Sequence, residues 1–369
     1  MAATTGMTLE DVLGHVYLTE KLQAIKTGIP DVLPAEFYSN AITDEVPADE
    51  ARYVRVEGTR KTARRLNYES RSRQRDLKAI GAVDVKLWHA REFIHLNAAR
   101  YLTLRAYDKY ELQPLGQQEI DRQLTEFASI FDNTEIAVTT MALAKGAMYW
   151  DRDGNLRTTT QASSGGVDID FAIPANNQNQ LNGIIGASWA TSTTDIQADV
   201  RQIRKQALQN TGYPIRCCFY GENLPSYISQ NDTIKAYWQF NQGMNQHLLS
   251  TNEIPDGFLG IEKWIPVYES FYEDFQDTIQ EFFGGDTVVF TPSVDKTWFQ
   301  RFKGGYPMPT TFQPINGMPQ LSAGVQIVHG KFSYGTFSHD PEGLDVYMGH
   351  TCLPAIRNGN AIFIADVTP

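Results

Sequence analysis

The chain has 369 residues, a formal net charge of −11, 42% hydrophobic residues and 20% charged residues. These values are typical of a soluble globular protein with one large or two modest cores. They exclude a membrane-embedded chain, because no apolar run approaches the roughly 18–20 residues of a membrane span. The acidic balance also argues against a protein that reads nucleic-acid sequence.

The cysteines and the first residues indicate the compartment. Cys217 and Cys218 are adjacent and Cys352 is distant, so no C-x-x-C motif supports a redox or zinc site. We predict that all three are small buried strand residues. Residues 1–10 lack the basic and apolar regions of a secretory signal, so we expect the chain to stay in a cytosol.

Charge is segregated along the chain. Residues 1–50 are mainly acidic, residues 52–78 carry ten lysines and arginines, and residues 253–286 are acidic again. Blocks of opposite sign suit a protein that contacts copies of itself, because complementary patches set orientation. For any single block, solvated surface charge that opposes aggregation is the alternative.

In chain order, the first feature is an arm. A short helical pattern covers Thr8 to Lys26, and residues 28–50 mix prolines and acids without periodicity. We expect this arm to lie against other chains. Residues 52–96 then predict two extended strands around a polar tip at Arg60 to Lys78, and such a hairpin must project from the body.

The strongest helix pattern runs from Gly116 to Met148. Pro114 just ahead suits a helix start, and a helix of this span is about 50 Å long. Its apolar residues recur at helical spacing, so they predict a stripe that packs against a sheet or another subunit. The stripe is formed by Ile120, Leu124, Phe127, Phe131, Val138 and Met141.

Turns, strands and helices alternate after this helix, which indicates an α+β protein. Thr194 and Gln197 have the spacing of a capping box at the start of a second amphipathic helix. The predicted elements are a turn at Asp151 to Asn155, helices at Thr194 to Asn210 and Leu224 to Leu249, and strands at Val167 to Ile173, Ile215 to Tyr220, Ile261 to Tyr268, Thr287 to Phe290, Val325 to Val328 and Ala361 to Val367.

No catalytic chemistry is indicated. The nucleophile-elbow, phosphate-loop, zinc-protease and dinucleotide motifs are absent from the sequence, and the seven histidines do not form a ligand set. Asp168 and Asp170 would share one face of a strand, as a carboxylate pair or a solvated face. We therefore expect no catalytic residue, metal or cofactor, with an enzyme whose site escapes motif search as an alternative.

The order of these parts carries a family resemblance. The long helix Glu119 to Trp150 leads through Asp151-Arg152-Asp153-Gly154 into Val167 to Phe171, and Trp189-Ala190 precedes the helix at Asp195. Further stretches are Ile261 to Tyr268, Tyr272-Glu273-Asp274, Gly285 to Pro292 and Leu353-Pro354. Over essentially the whole chain this resembles the phage major capsid protein E family, the lambda-like branch of tailed-phage capsid proteins.

The resemblance implies an α+β HK97-like capsid fold. Residues 1–50 would be the N-terminal arm, 51–96 the E-loop, 97–215 with 346–369 the peripheral P-domain containing a long spine helix, and 216–345 the axial A-domain. The chain would form hexamers and pentamers of an icosahedral virion shell around double-stranded DNA, without sequence-specific contact or a membrane. Scaffold, portal and decoration proteins would be partners, with assembly in the host cytoplasm. The rival within this fold is an encapsulin-like nanocompartment shell.

The resemblance also gives the basic loop a role, because each E-loop of such shells lies over a neighbour's P-domain. Lys61 and Lys78 would be candidates for a Lys–Asn crosslink, but no motif marks an acceptor, so we expect non-covalent stabilisation. The candidate inter-subunit residues are Arg60, Lys61, Arg64, Arg65, Arg71, Arg73, Arg75 and Lys78.

Overall fold

A computed structural model describes the parts of the chain considered below. It covers residues 15–25, 33–47, 50–54, 82–97, 112–178, 185, 187–238, 251, 253–267, 271–273, 279–309, 312–315, 318–321, 325–339 and 342–368. The helices are α1 (His15–Ala24), α2 (Leu112–Lys145), α3 (Ile196–Asn210), α4 (Leu224–Gln230) and α5 (Asp232–Trp238). Short 3-10 helices lie at Ala35–Tyr38, Ala162–Ser164, Ala175–Asn177, Phe258–Gly260 and Gly359–Ala361.

Nineteen strands are described. They are β1 (Thr43–Val46), β2 (Glu50–Val54), β3 (Ala82–Lys86), β4 (Trp88–Asn97), β5 (Ala147–Trp150), β6 (Leu156–Arg157), β7 (Val167–Asp170), β8 (Cys217–Tyr220), β9 (Lys263–Pro266), β10 (Phe271–Glu273), β11 (Ile279–Glu281), β12 (Thr287–Thr291), β13 (Phe299–Pro309), β14 (Phe312–Ile315), β15 (Met318–Leu321), β16 (Val325–His329), β17 (Lys331–His339), β18 (Glu342–Ile356) and β19 (Phe363–Asp366). With the helices they confirm the predicted α+β class.

A six-stranded sheet, here called the long sheet, organises half of the molecule. Its strands run in the order β1-β13-β18-β17, with β16 added to β13 and β4 added to β18. Strand β1 is parallel to β13, and the other pairs are antiparallel. Side chains alternate across a strand, so Val346 and Met348 face a core with α1 and α2, while Tyr347 stacks on Phe93 on the opposite face. The long sheet therefore carries both helices on one face.

A second, four-stranded sheet has the order β19-β12-β8-β9. Its strands β8 and β9 are parallel, and β12 is antiparallel to β8 and β19. Residues of α3, α4 and α5 pack with this sheet in one core, which includes Ile203, Ile228, Ile234 and Phe290. The three cysteines lie in strands, buried and without disulfides, as predicted.

The long helix α2 confirms the predicted helix but ends earlier. We predicted Gly116 to Met148, whereas the helix spans Leu112–Lys145. Gly146 adopts φ +66°, and its N–H donates to the Ala142 carbonyl at 2.9 Å. A left-handed residue ends a helix by closing its last carbonyls. The chain then continues as strand β5, so Met148 belongs to a strand. Within the described residues, no helix has the length and apolarity to cross a membrane.

Two other predicted helices differ locally. The capping-box prediction is wrong, because Asp195 is the N-cap of α3 and its carboxylate accepts the Ala198 N–H at 2.9 Å. Thr194 instead donates its hydroxyl to the Ser188 carbonyl. The predicted single helix from Leu224 is broken at Asn231, whose side chain accepts the Ile234 N–H and starts α5. Residues 239–250 of that prediction lie outside the described residues.

The arm prediction is corrected where the arm is described. Helix α1 buries Leu18 and Leu22 completely against the same chain. Phe37 is 1% exposed and packs edge-on against Phe219 and Phe299. Residues 28–50 lack periodicity, but single large apolar residues suffice to anchor a strap on an existing core.

The strand pairing also cuts across the predicted domain ranges. β19, assigned with 346–369 to the P-domain, pairs with β12, which lies in the predicted A-domain range. Strands β13 and β17 of that range pair with β18, and β4 of the predicted E-loop pairs with β18 as well. The hairpin itself is confirmed at its base, because β2 and β3 are antiparallel partners.

Asp168 and Asp170 support turns. The Asp168 carboxylate accepts the N–H groups of Gln161 and Ala162, and Asp170 accepts the N–H of Ala172 at 2.7 Å. Backbone donors lower the pKa of Asp168, although burial alone would raise it. Both carboxylates thus have partners within their own loop.

Candidate assembly site

The stripe of α2 lies where the sequence places a packing surface. Its first four residues pack with α1 and β18, and Val138 and Met141 lie in the core shared by both sheets. The relative exposures are 2% for Ile120, 0% for Leu124, 8% for Phe127, 1% for Phe131 and 0% for both Val138 and Met141. The helix therefore spans two cores and joins them.

A buried ion-pair cluster fixes α2 on the long sheet. Glu135 of α2 lies between Arg301 of β13 and His350 of β18, and their side chains are 4%, 10% and 1% exposed. His350 Nε2 donates to Glu135 Oε2 at 3.1 Å, since a carboxylate only accepts. Arg301 Nε pairs with the other carboxylate oxygen. One carboxylate thus connects three elements.

Electrostatics keeps this carboxylate ionised. Burial alone would raise the pKa of Glu135, but the positive charge of Arg301 and the hydrogen bond from His350 outweigh it and hold the pKa well below its usual range. Burial would lower the pKa of Arg301, and the Glu135 charge more than reverses this. Removing either partner would leave a buried, unpaired charge, so the helix is held in one register.

Two more acids of α2 extend the docking. Asp132 pairs with Lys331 of β17 at 2.5 Å, with side-chain exposures of 26% and 14%. Asp121 pairs with Lys21 of α1. These pairs lie at the rim of the apolar contact and are worth less than the buried cluster, because water screens them. Together they place α1, β17 and β13 on one helix.

The cluster also contains donor types that can bind a metal. Glu135, His350 and Cys352 offer one donor atom each, all within 4.8 Å of one another. The Arg301 guanidinium beside Glu135 opposes a second cation. Burial, with the Glu135 charge, raises the pKa of Cys352 well above its usual range, which favours the thiol over the metal-binding thiolate. The arrangement is better suited to docking a helix than to metal chemistry.

The E-loop candidates lie outside the described residues, because all eight fall within 55–81. The base of the loop is described. Ala51 and Tyr53 of β2 are buried, and the Tyr53 ring stacks on Phe302 of β13 with centroids 6.0 Å apart. Arg52 pairs with Asp84 across the hairpin at 3.4 Å. The loop is thus anchored on the long sheet.

Sequence reasoning missed the buried cluster. Arg301 and His350 are 166 and 215 positions from Glu135 along the chain, so no spacing connects them. One signal was present, since Glu135 lies on the apolar stripe between Phe131 and Val138. A charge on a buried helix face requires a partner.

Comparison with known proteins followed from this geometry. The family model described as phage major capsid protein E matches residues 15–306. No curated protein matches the chain.

Three solved structures are similar to the chain. One is a phage-related protein from Bordetella bronchiseptica (9% identity, TM-score 0.49, covering 96% of this chain and 97% of that chain). Another is the putative capsid protein of an Escherichia coli prophage (13%, 0.44, 78% and 79%). The third is the holo-SrpI encapsulin complex from Synechococcus elongatus (10%, 0.42, 94% and 92%).

Proposed function

Because the chain belongs to the phage major capsid protein E family, it is a bacteriophage major capsid protein whose copies assemble into the virion shell, and we propose that the long sheet with α2 is the platform from which its inter-subunit arms extend. The observation that carries this proposal is the origin of the arms. Strand β1 of the N-terminal arm pairs with β13, and β4, which follows the E-loop, pairs with β18. Both arms therefore begin on the sheet that α2 covers.

The domain limits that we propose follow the strand pairing. The P-domain would comprise α2 and the strands β13 to β18 of the long sheet. The A-domain would comprise the four-stranded sheet with α3, α4 and α5, so it takes in α3 and β19. Helix α2 packs on both, since Leu143 shares a core with Val289 of β12 and Phe299 of β13.

We propose that the arginine-rich E-loop tip contacts acidic surface on a neighbouring subunit. The tip carries eight lysines and arginines in a chain of net charge −11, so acidic surface is abundant on every copy. Replacing Arg64, Arg65, Arg71 and Arg73 together by glutamate should abolish shells seen by electron microscopy, whereas lysine at the same positions keeps the charge and should retain them. Normal shells from the glutamate variant would contradict this contact.

The remaining partners are proposed from the same role. The shell would enclose double-stranded DNA without gripping it, because a net acidic wall attracts the duplex weakly. Scaffold, portal and decoration proteins would join it during assembly in the host cytoplasm, and the chain itself would catalyse no reaction. We also propose non-covalent stabilisation at Lys61 and Lys78. Denaturing gels of mature particles test this, since a crosslinked shell cannot enter as monomer.

The test of the main proposal is assembly by the chain itself. Purified, expressed chain should form icosahedral particles under the electron microscope. A stable, monodisperse monomer under all assembly conditions would count against the shell function.

A further inference from the structure

The strand β17 forms one edge of the long sheet. It pairs with β18 on one side, and among the described residues no strand pairs with its other side. Part of this edge is covered by a helix instead of a strand. The Ser333 N–H donates to Thr19 Oγ1 at 3.0 Å, and the same hydroxyl donates to the Ser333 carbonyl at 2.9 Å. Gln23 of α1 donates to the Lys331 carbonyl at 2.8 Å.

These bonds fix which backbone groups point off the edge. In an antiparallel ladder alternate residues turn both N–H and C=O away from the partner strand. Since Ser333 does so, Gly335, Phe337 and His339 do so as well. Thr19 is 5% exposed and Ser333 is fully buried, so here a hydroxyl replaces a strand partner in a dry environment.

The cover extends only partway along the strand. Thr19 lies at Ser333 and Gln23 at Lys331, so four helix residues, about 6 Å, match two strand residues. The first residue of α1, His15, is four positions before Thr19 and therefore lies level with Gly335. Beyond it, the outward groups of Phe337 and His339 have no hydrogen-bond partner among the described residues. An uncovered strand edge is a template for another strand.

We infer that the β17 edge from Gly335 to His339 is a strand-addition site for an extended segment of a second copy of this chain, and that α1 is the cap that limits the addition at Ser333. The inference rests on the proposed function, because shell assembly brings copies edge to edge. The sheet already accepts such an addition within one chain, since β1 of the arm joins β13 as a parallel strand.

The second copy can supply the strand. The ribbons β2–β3, β10–β11 and β14–β15 each consist of two strands that pair only with each other among the described residues. Two-stranded ribbons are marginally stable alone and gain from a third strand. Addition through backbone groups tolerates many sequences, which suits copies that meet in non-identical positions of a shell.

Hydrogen exchange tests this on the unmodified chain. Amides in fragments spanning 335–339 should exchange at least tenfold more slowly in assembled shells than in free subunits, whereas the Ser333 amide should be protected in both. Thr19→Val should remove the Ser333 protection in free subunits. Shells in which 335–339 exchange as fast as in free subunits would overturn the inference and leave the shell function intact. Failure of the unmodified chain to form any shell would instead contradict the proposed function.

A proline variant adds an independent arm. Gly335→Pro removes one outward N–H, which an edge strand tolerates because its ladder to β18 is kept. Gly335→Ala keeps the N–H and is the matched control. We expect the proline variant to show natural circular dichroism and to lose at least tenfold in shell yield, with the alanine variant assembling normally. Normal yield from Gly335→Pro would overturn the inference. If that variant does not fold, the exchange experiment decides.

Discussion

Replacing Arg301 by methionine should destabilise the subunit strongly, because it leaves the Glu135 carboxylate buried without its cation. The two side chains are 10% and 4% exposed, so solvent screening reduces the effect little. Breaking a buried pair in this way costs about 3–5 kcal/mol. We expect the free energy of unfolding to fall by that amount at pH 8, measured by urea denaturation of unassembled subunits with tryptophan fluorescence.

The pH dependence gives the sign of the effect. In the natural chain the pKa of Glu135 is lowered below its ordinary value of 4.5, so its stabilisation is complete above that value and is lost as the pH falls through the native pKa. In Arg301→Met burial raises this pKa instead, so the variant loses less stability at pH 5 than at pH 8.

The control is the double variant Glu135→Leu with Arg301→Met, which removes both charges. It should recover most of the lost stability, since an apolar pair can replace a buried ion pair. A single variant as stable as the natural chain at pH 8, or a double variant no better than the single one, would refute the reasoning.

Three further predictions concern the core and the chain turns. Phe131→Ala should lower the free energy of unfolding by about 3–5 kcal/mol, since the ring is 1% exposed, and Ile130→Ala at a 40% exposed position of the same helix should change it little; equal losses would contradict the packing. Gly146→Ala should lower the unfolding midpoint, because φ is +66° and a Cβ would lie 2.5 Å from an Ile173 carbon; an unchanged midpoint would disprove the strain. The three cysteines should react with a thiol reagent only after denaturation, since burial raises the pKa of Cys217 to about 11; fast labelling of native subunits would argue otherwise.

Local patterns predicted the elements well where a single periodicity dominated. The start of α2 lies within four residues of its predicted position because its apolar stripe is long. Its end was missed because Ala147 and Met148 continue an apolar pattern, and only the left-handed Gly146 separates helix from strand. Similarly, Asn231 interrupts a helical pattern by capping the next helix, which composition does not reveal.

The assembly site was less predictable because its contacts are distant in sequence. The stripe of α2 predicts a buried surface but not its partners, which come from α1, β13 and β18. The arm was predicted to lie on other chains because residues 28–50 lack periodicity. Phe37 shows why this fails, since one buried ring among Phe219, Trp298 and Phe299 holds the strap without any repeat.

Arg301 connects the arm to the helix that carries the shell platform. Its side chain pairs with Glu135 and donates to the Tyr38 carbonyl at 3.4 Å, and its own N–H donates to the Ile42 carbonyl at 2.9 Å. The contacts differ in strength, because the ion pair is buried whereas β1 is bound by four residues of parallel pairing. Displacing the arm would therefore break the β1 pairing and the Tyr38 bond first and leave Glu135 paired. A subunit built in this way can exchange its arm between neighbours while α2 stays docked on the long sheet.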